Sequence, residues 1–328
     1  MPGKNSMSFA EILGQEPAIK LLKNSLERGK VAHAYLFYGI EGIGKEKTAR
    51  ALARALNCLS PQGIEACSGE CRSCLKMESG AHPDLIVIKP SGAFIRIEQI
   101  RSLQRQLIYK PLEGRYRIII ITNADLLNKE SANCLLKTLE EPPDASIIIL
   151  MATDINELLP TIVSRCQAVP FRPLSPAVIS EYLCSYGDNK FPPEQAALLA
   201  SLSGGSLGRA VRLADSPLME MRRDVCIQLI SLSRQDMQGL LLLAENLAGR
   251  KEELPEIIAM LSTCLRDSLF LRQGLDERHL INKDLKEILF EGARRWTEKE
   301  IIHGLELLHS AEQAVTRNYN RQLILENL

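Results

Sequence analysis

Four short apolar runs in the first half of the chain have the length of buried strands. They are dominated by β-branched and aromatic residues and span positions 34–38, 84–88, 117–122 and 146–152. Between these runs, apolar residues recur at the spacing of one helix face over positions 45–57, 97–109 and 129–141. Strands that alternate with helices predict a parallel sheet covered by helices on both faces. We therefore expect an α/β domain in the first half.

The pattern changes at about position 173, after which apolar residues keep only the spacing of helices. A small three-helix unit is predicted at 176–186, 193–202 and 206–214. Asp, Ser and Pro then interrupt the pattern in LADSPLME, and longer helices are predicted beyond it. The expected organisation is a core with an inserted cysteine-rich module, a small helical domain and a larger helical domain, at 1–172 (module 58–74), 173–215 and 216–328.

Composition narrows the classes of protein to which the chain can belong. Lys plus Arg and Asp plus Glu both total 40, so the formal charge is +0 and no global basic field attracts nucleic acid or an acidic membrane. No run approaches the ~18 apolar residues that span a bilayer, and the amino terminus lacks an apolar signal core. We expect a cytoplasmic protein of roughly two or three domains, whose contacts with DNA are local or shared with partners.

The segment GIEGIGK is typical of a phosphate-binding loop. It lies between a predicted strand and a predicted helix and has the form G-x-x-x-x-G-K. In such a loop, backbone N–H groups and the helix start bind phosphate oxygens, and the lysine reaches the β- and γ-phosphates. The candidate nucleotide-binding residues are Gly39, Gly42, Gly44 and Lys45. The alternative is a glycine-rich turn with an exposed lysine, and the strand-to-helix context favours the phosphate loop.

The groups that hydrolyse a nucleotide are missing from this motif. Glu46 stands where such loops carry the hydroxyl that binds Mg²⁺, and Thr48 lies two positions late. The third apolar run ends in Thr122 and Asn123, where P-loop motors carry an acidic metal ligand and often a second carboxylate. Asp125 is expected to begin the next turn. We therefore predict that ATP and Mg²⁺ bind weakly or not at all in this site, without independent hydrolysis.

Four of the nine cysteines are clustered within seventeen residues, at Cys58, Cys67, Cys71 and Cys74. Thiolates so close in sequence suit a tetrahedral Zn²⁺ with bonds of ~2.3 Å, and four protein ligands leave no open position for catalysis. The prediction is a structural zinc site. The alternative is that they are scattered core cysteines, which is our interpretation of Cys134, Cys184, Cys226 and Cys264.

Several stretches together resemble one known family. They are FAEILGQ (9–15), HAYLFYGIEGIGK (33–45), the cysteine cluster, NADLLNKESANCLLKTLEEPP (123–143), LLPTIVSRC (158–166), SGGSLGRAV (203–211) and NRQLILENL (320–328). These stretches are similar to the AAA+ clamp-loader subunits of bacterial DNA polymerase III. The resemblance implies a RecA-like AAA+ core, a helical lid and a helical collar through which five subunits assemble. It also implies a choice between ATP-hydrolysing motor subunits and a largely rigid stator.

The resemblance assigns roles to individual residues. It implies an arginine finger at Arg165, which would act on the γ-phosphate held by a neighbouring subunit; alone, such an arginine would more often form a surface ion pair. It implies a sensor at Thr153 and a sensor arginine directly after GSL, where this chain has Gly208, with Arg209 one position late. The family's usual C-x8-C-x2-C-x2-C spacing is one residue longer here, an insertion that Gly69 can accommodate.

Two pairs of charged residues are further candidates. Arg96 and Arg101 lie near the start of a predicted helix, in a part that resembles the family's DNA-tracking surface, and phosphates bind well at such starts. A solvated helix face is the alternative. Glu140 and Glu141 end a helix before two prolines, where a solvated end and an interface or switching role both stay open.

The degenerate loop, Gly208 and Arg165 together favour a clamp-loader stator. The implied partners are gamma/tau and delta subunits, the sliding clamp and primer-template DNA, with no membrane, and the implied metal is structural zinc. The chain would be a non-hydrolysing part of the polymerase holoenzyme, a nucleotidyltransferase. The alternative is an ATP-hydrolysing gamma/tau-like motor, which Glu46, Thr122 and Asn123 disfavour. A stand-alone kinase lacks support because the helical half offers no acid or base constellation.

Overall fold

The structure is a computed structural model that describes residues 8–67, 69–186, 191–231, 245, 249–250 and 253–316. The chain divides into two compact units. The first comprises Met1–Ile179, Gly187–Asn189 and Gly205–Gly208, and the second comprises Ser180–Tyr186, Lys190–Gly204 and Arg209–Leu328. All the residues that the sequence assigns to nucleotide, metal and DNA sites fall in the first unit.

A parallel five-stranded sheet forms the centre of the first unit. Its strands are β1 Ala34–Tyr38, β2 Leu85–Ile88, β3 Arg117–Ile121, β4 Ser146–Ala152 and β5 Gln167–Pro170. They are arranged in the order β2-β3-β4-β1-β5, and all pairings are parallel. Every residue of β3 and β4 is buried because helices cover both faces of the sheet. The predicted α/β fold and its four strands are confirmed, and β5 is an additional edge strand.

Helices on the two faces of this sheet enclose two separate hydrophobic clusters. The helices are α1 Glu16–Glu27, α2 Lys45–Asn57, α3 Arg72–Glu78, α4 Ile97–Leu107, α5 Lys129–Glu140 and α6 Pro160–Val163. Successive strand residues point to opposite faces. Phe37 therefore belongs to one cluster with Leu22 of α1, and Leu36 belongs to the other with Leu103 of α4.

The described part of the second unit is helical. The helices from here to the end of the described residues are α7 Pro176–Ser185, α8 Pro193–Leu202, α9 Leu207–Ala214, α10 Leu218–Ser231, α11 Leu254–Arg272, α12 Lys286–Arg295 and α13 Glu298–Thr316, and the first residues of α7 and α9 belong to the first unit. The buried carboxylate of Asp267 on α11 accepts hydrogen bonds from the N–H groups of Ile281 and Asn282, at 3.0 and 2.7 Å. These bonds attach the segment before α12 to α11.

Beyond β5, the described residues contain helices, turns and loops and no strand, as predicted. Within the same ranges, none of the helices combines the length and hydropathy that a membrane span requires. The motif NRQLILENL at 320–328 lies outside the described residues. The domain boundaries predicted after residues 172 and 215 remain predictions.

Candidate functional site

The phosphate loop lies between the end of β1 and the first turn of α2. Its glycines adopt backbone conformations that residues with a side chain rarely adopt, with φ of +143° at Gly39, +72° at Gly42 and +107° at Gly44. At Gly39, a Cβ atom would also lie 2.5 Å from the carbonyl oxygen of Phe171. The glycines thus let the chain turn sharply from strand to helix.

Lys45 is bonded to its own loop. Its Nζ donates hydrogen bonds to the carbonyl oxygens of Gly39 and Ile40, the latter at 3.0 Å. Burial lowers the pKa of Lys45, and the negative charges of Asp125 and Glu41 partly oppose that shift. The ammonium is therefore a partly buried cation that loop carbonyls and two nearby carboxylates stabilise.

The side chains around the lysine are engaged in other bonds. Glu46 forms an ion pair with Arg50 one turn later, at 2.8 Å between Oε1 and Nη2. Thr48 is fully buried, and its hydroxyl donates to the carbonyl oxygen four residues earlier at 2.8 Å. The hydroxyl of Thr122 donates to the carbonyl oxygen of Ile88 at 3.2 Å. The usual hydroxyl ligand is thus replaced by a paired carboxylate, and both nearby threonines bond to the main chain.

Thr153 lies beside two carboxylates at the carboxyl ends of the strands. Its hydroxyl is 3.2 Å from Asp125 Oδ2 and 3.2 Å from Glu157 Oε2. Asp125 lies in the short 3₁₀ turn Ala124–Leu126, as predicted, and its Oδ1 is buried without a hydrogen-bond partner among the described residues. Sequence reasoning missed the link between Asp125, Thr153 and Lys45 because each follows a different strand.

Gly208 contacts the phosphate loop directly. Its backbone N–H donates to the carbonyl oxygen of Gly42 at 2.8 Å, and the hydroxyl of Ser206 donates to that of Glu41 at 2.7 Å. A Cβ atom at Gly208 would lie 2.9 Å from the Cα atom of Gly42. A side chain at this position would therefore collide with the loop backbone, at the place where the resemblance implies a sensor arginine.

The four clustered cysteines meet at the junction of α2 and α3. Cys58 follows the last residue of α2, and Cys71 precedes the first residue of α3. All four Sγ atoms lie within 4.8 Å of one another, with 3.9 Å between Cys58 and Cys71 and 3.7 Å between Cys67 and Cys74. Sulfur atoms placed tetrahedrally at ~2.3 Å from Zn²⁺ are about 3.8 Å apart. The donor set and its spacing therefore fit a metal ion such as zinc.

Main-chain N–H groups surround the sulfur atoms. The N–H of Cys67 donates to Cys58 Sγ at 3.3 Å, and the N–H of Cys74 donates to Cys71 Sγ at 3.4 Å. Burial raises the pKa of Cys67, but hydrogen bonds from the backbone of Cys71 and Gly69 outweigh it and lower the pKa to about 6. Gly69 has a φ of +96°, so it provides a turn within the longer gap between Cys67 and Cys71. The inserted residue is thus compatible with four sulfur ligands in one cluster.

Arg165 lies at the surface just after α6. Its Nη2 is 2.8 Å from Oε1 of Glu140, the last residue of α5, and its Nη1 donates to the carbonyl oxygen of Thr161 at 3.0 Å. The arginine side chain is 35% exposed. The next residue, Cys166, is packed inward, and burial raises the pKa of its thiol to about 12. The guanidinium is therefore held in position while part of it faces solvent.

The two candidate DNA-binding arginines occupy different places on α4. Arg101 lines a groove of about 590 Å³ between α4 and α5, together with Arg105, Lys137 and two glutamates. Arg96 is exposed at the residue before α4 and does not line this groove. The structure thus places Arg101, Arg105 and Lys137 on one groove, a grouping that sequence reasoning missed. Lys137 lies on another helix, so only the fold reveals its proximity.

Two family models match most of the chain. The model described as DNA polymerase III, delta subunit, matches residues 14–175, and the model described as DNA polymerase III, delta subunit, C terminal, matches residues 216–328. The solved structure of a DNA polymerase III gamma subunit-related protein from Thermotoga maritima covers 94% of this chain and 96% of its own, at 20% identity and a TM-score of 0.48. The fold assignment rests on the sheet of this chain itself.

Relatives identified by sequence have higher identity to this chain. DNA polymerase III subunit delta' of Bacillus subtilis is 32% identical over 98% of this chain and 98% of its own length. Subunit delta' of Pseudomonas aeruginosa is 33% identical over 92% of each chain. DNA polymerase III subunit tau of Escherichia coli is 35% identical, but the match covers 68% of this chain and 35% of tau. Because the two delta' matches extend over nearly the whole of both chains, this chain belongs to the delta' family of DNA polymerase III subunits.

Proposed function

We propose that this chain acts in the cytoplasm as the stator subunit of a DNA polymerase III clamp loader, which places the sliding clamp on primed DNA. The full-length similarity to delta' subunits supports this role. The proposed partners are gamma/tau and delta subunits. The proposed divisions are an AAA+ core at 1–172, a lid at 173–215 and a collar for assembly at 216–328.

The observation that carries the proposal is the placement of Arg165. A planar guanidinium at the surface can pair with a γ-phosphate bound by a neighbouring subunit and stabilise the charge of the transition state. The contact with Glu140 is partly exposed, so it contributes at most ~1 kcal/mol. A triphosphate carries more charge than one carboxylate and can therefore displace Glu140 from the arginine.

The chain's own loop supports the non-hydrolysing half of the proposal. Glu46 is paired with Arg50, Thr122 is bonded to the main chain, and Gly208 packs on the loop. Mg²⁺ then lacks the hydroxyl and the strand-end carboxylate that hold it in P-loop motors. A gamma/tau-like motor is the alternative, and steady ATP turnover by the isolated chain that disappears in Lys45→Ala would favour it.

The test of the finger uses a reconstituted complex with gamma/tau and delta subunits. With Arg165→Ala, we expect ATP hydrolysis at the neighbouring site and clamp loading to fall on the order of tenfold or more, because fingers contribute ~10³ to 10⁵ elsewhere. Arg165→Lys keeps the charge but loses the planar fork, so it should restore little. Exposed Arg28→Ala is the matched control, and size-exclusion chromatography checks assembly. Wild-type rates with Arg165→Ala would contradict the assignment.

Zinc and DNA binding complete the proposal. The spacing of the four sulfur atoms supports structural Zn²⁺.

Arg101, with Arg105 and Lys137, offers phosphate contacts on one groove, and Arg96 extends the basic surface along α4. Reversing the charges of Arg96 and Arg101 should weaken primer-template binding by the assembly and reduce its salt dependence. Unchanged binding would contradict the proposed contact between α4 and DNA.

A further inference from the structure

Arg54 on α2 is a buried cation without a carboxylate partner. Only 1% of its surface is exposed. Its Nη2 donates one long hydrogen bond, 3.4 Å, to the carbonyl oxygen of Cys67, while Nε and Nη1 are buried and lack any hydrogen-bond partner in the described ranges. Within those ranges, no Asp or Glu lies within ion-pair distance. Since a guanidinium stays charged in proteins, a full positive charge is buried here.

The guanidinium points to the cysteine cluster. Arg54 lies one turn before Cys58, and its Nη2 donates to the carbonyl oxygen of Cys67. Its Nη2 is also 3.3 Å from the position that a Cβ atom would occupy at Gly69, in the gap between Cys67 and Cys71. The side chain therefore contacts the loop that carries Cys67, between the ends of the two helices that carry the other three cysteines.

A buried guanidinium needs an anion, because burial without a partner is strongly unfavourable. Four thiolates around one divalent cation carry a net charge of about −2. Such a centre would supply the missing anion at the place where Arg54 lacks one. Groups that donate hydrogen bonds to metal ligands also orient those ligands and tune the affinity for the metal.

We propose that Arg54 is the charge-compensating residue of the metal centre, and that its guanidinium donates N–H···S hydrogen bonds to the thiolates that hold the metal. The inference rests on the proposed metal centre and adds to it a residue that retains the metal without binding it. Because the hydrogen bonds share the negative charge of the thiolates, Arg54 also makes them less reactive towards electrophiles.

The test uses the full chain under reducing conditions, loaded with Zn²⁺ or Co²⁺. Arg54→Met keeps the length of the side chain without its charge, Arg54→Lys keeps the charge without the planar fork, and Arg28→Met is the exposed control. Competition with a chromophoric chelator should show metal binding weaker by about 10- to 100-fold in Arg54→Met, intermediate in Arg54→Lys and unchanged in Arg28→Met. Alkylation of the thiols and release of the metal should be faster in the same order.

Thermal unfolding with and without metal separates this role from simple packing. In Arg54→Met, the rise in Tm on adding metal should shrink, while the Tm of the metal-free protein should stay the same or rise, because an unpaired buried charge has been removed. Equal losses of Tm in both states with unchanged affinity would overturn the inference. Arg54→Lys keeps the test decisive if Arg54→Met does not fold.

The experiment also distinguishes the absence of a metal centre from the absence of a role for Arg54. Wild-type protein that bound neither Zn²⁺ nor Co²⁺ in stoichiometric amount would refute the centre itself, and the inference with it. Wild-type binding together with wild-type affinity in both Arg54 variants would leave the centre standing and refute the role of Arg54 alone.

Discussion

Nη2 of Arg165 lies 2.8 Å from Oε1 of Glu140, so the proposed finger is bonded to the last residue of α5 in its own chain. The two side chains are 35% and 49% exposed, which limits the stabilisation from their pairing to ~1 kcal/mol or less. The carboxylate therefore orients the arginine and also competes with an incoming phosphate for it.

Glu140→Gln removes this competing charge while it keeps the shape of the side chain. We expect hydrolysis at the neighbouring ATP site of the reconstituted complex to rise by up to about fivefold, the factor that corresponds to ~1 kcal/mol. Thermal unfolding of the isolated chain should hardly change. Exposed Glu130→Gln, at the other end of α5, is the control. A fall in hydrolysis would show that Glu140 positions the finger and does not restrain it.

Gly208→Ala should destabilise the protein because its Cβ atom would lie 2.9 Å from Gly42 Cα. Backbone atoms cannot move aside easily, so we expect the free energy of unfolding to fall by about 1 to 3 kcal/mol. Denaturant unfolding measures this loss. At Gly249 a Cβ atom would meet no described residue within 4 Å, so Gly249→Ala is the matched control and should be close to neutral. Equal stability of both variants would contradict a tight contact at Gly208.

Acid should weaken the first unit through Asp84. Burial raises the pKa of this carboxyl, but hydrogen bonds from the N–H groups of Glu113, Gly114 and Leu112, together with Arg117, outweigh it and leave the pKa below its ordinary value. A depressed folded-state pKa gives stability that is complete above the unfolded pKa of ~3.9 and is lost as the pH falls through the folded value.

Asp84→Asn tests this account by urea unfolding at several pH values. The amide cannot accept all of these bonds and leaves a buried arginine partly unpaired, so we expect a loss of about 3 kcal/mol at neutral pH. The variant should also lose stability less steeply below about pH 4 than wild type. Exposed Asp144→Asn is the control. An equally steep loss of stability in acid for Asp84→Asn would show that other groups cause the acid unfolding.

Cys71→Ser should abolish stoichiometric metal binding, because a serine hydroxyl is a poor ligand for zinc beside three thiolates. Purified wild-type protein should contain about one zinc per chain by elemental analysis under reducing conditions. Serine can still cap α3, so any faster cleavage by protease between α2 and α3 in the variant would report loss of the metal and not loss of the cap. Cys184→Ser, outside the cluster, should keep its metal. Metal-free wild-type protein would contradict the site.

The sequence predicted β1 to β4 because each is a nearly continuous apolar run, as strands of a covered parallel sheet require. It did not predict β5, because three of its four residues, Gln167, Ala168 and Pro170, are exposed at the sheet edge and form no apolar run. It also did not single out α1, where only Ala18 and Leu22 are fully buried. Elements are thus predictable to the extent that they are buried.

For the candidate sites, contacts between residues close in sequence could be predicted, and contacts between distant residues could not. The phosphate loop and the cysteine cluster were predictable because their residues are close in sequence. The bond from Gly208 to Gly42 was not, because no periodic pattern indicates which loops meet in space. The burial of Arg54 was hidden for a different reason: an arginine within a helical pattern is normally assigned to the surface.

The hydroxyl of Ser206 reaches the carbonyl of Glu41 across 165 positions of sequence, and the N–H of Gly208 binds the next carbonyl in the loop. These two hydrogen bonds connect the phosphate loop to a segment of the same unit that is distant in sequence. Both bonds restrict the conformations that the loop can adopt. In the proposed stator, these bonds would hold the loop rigid while neighbouring subunits move.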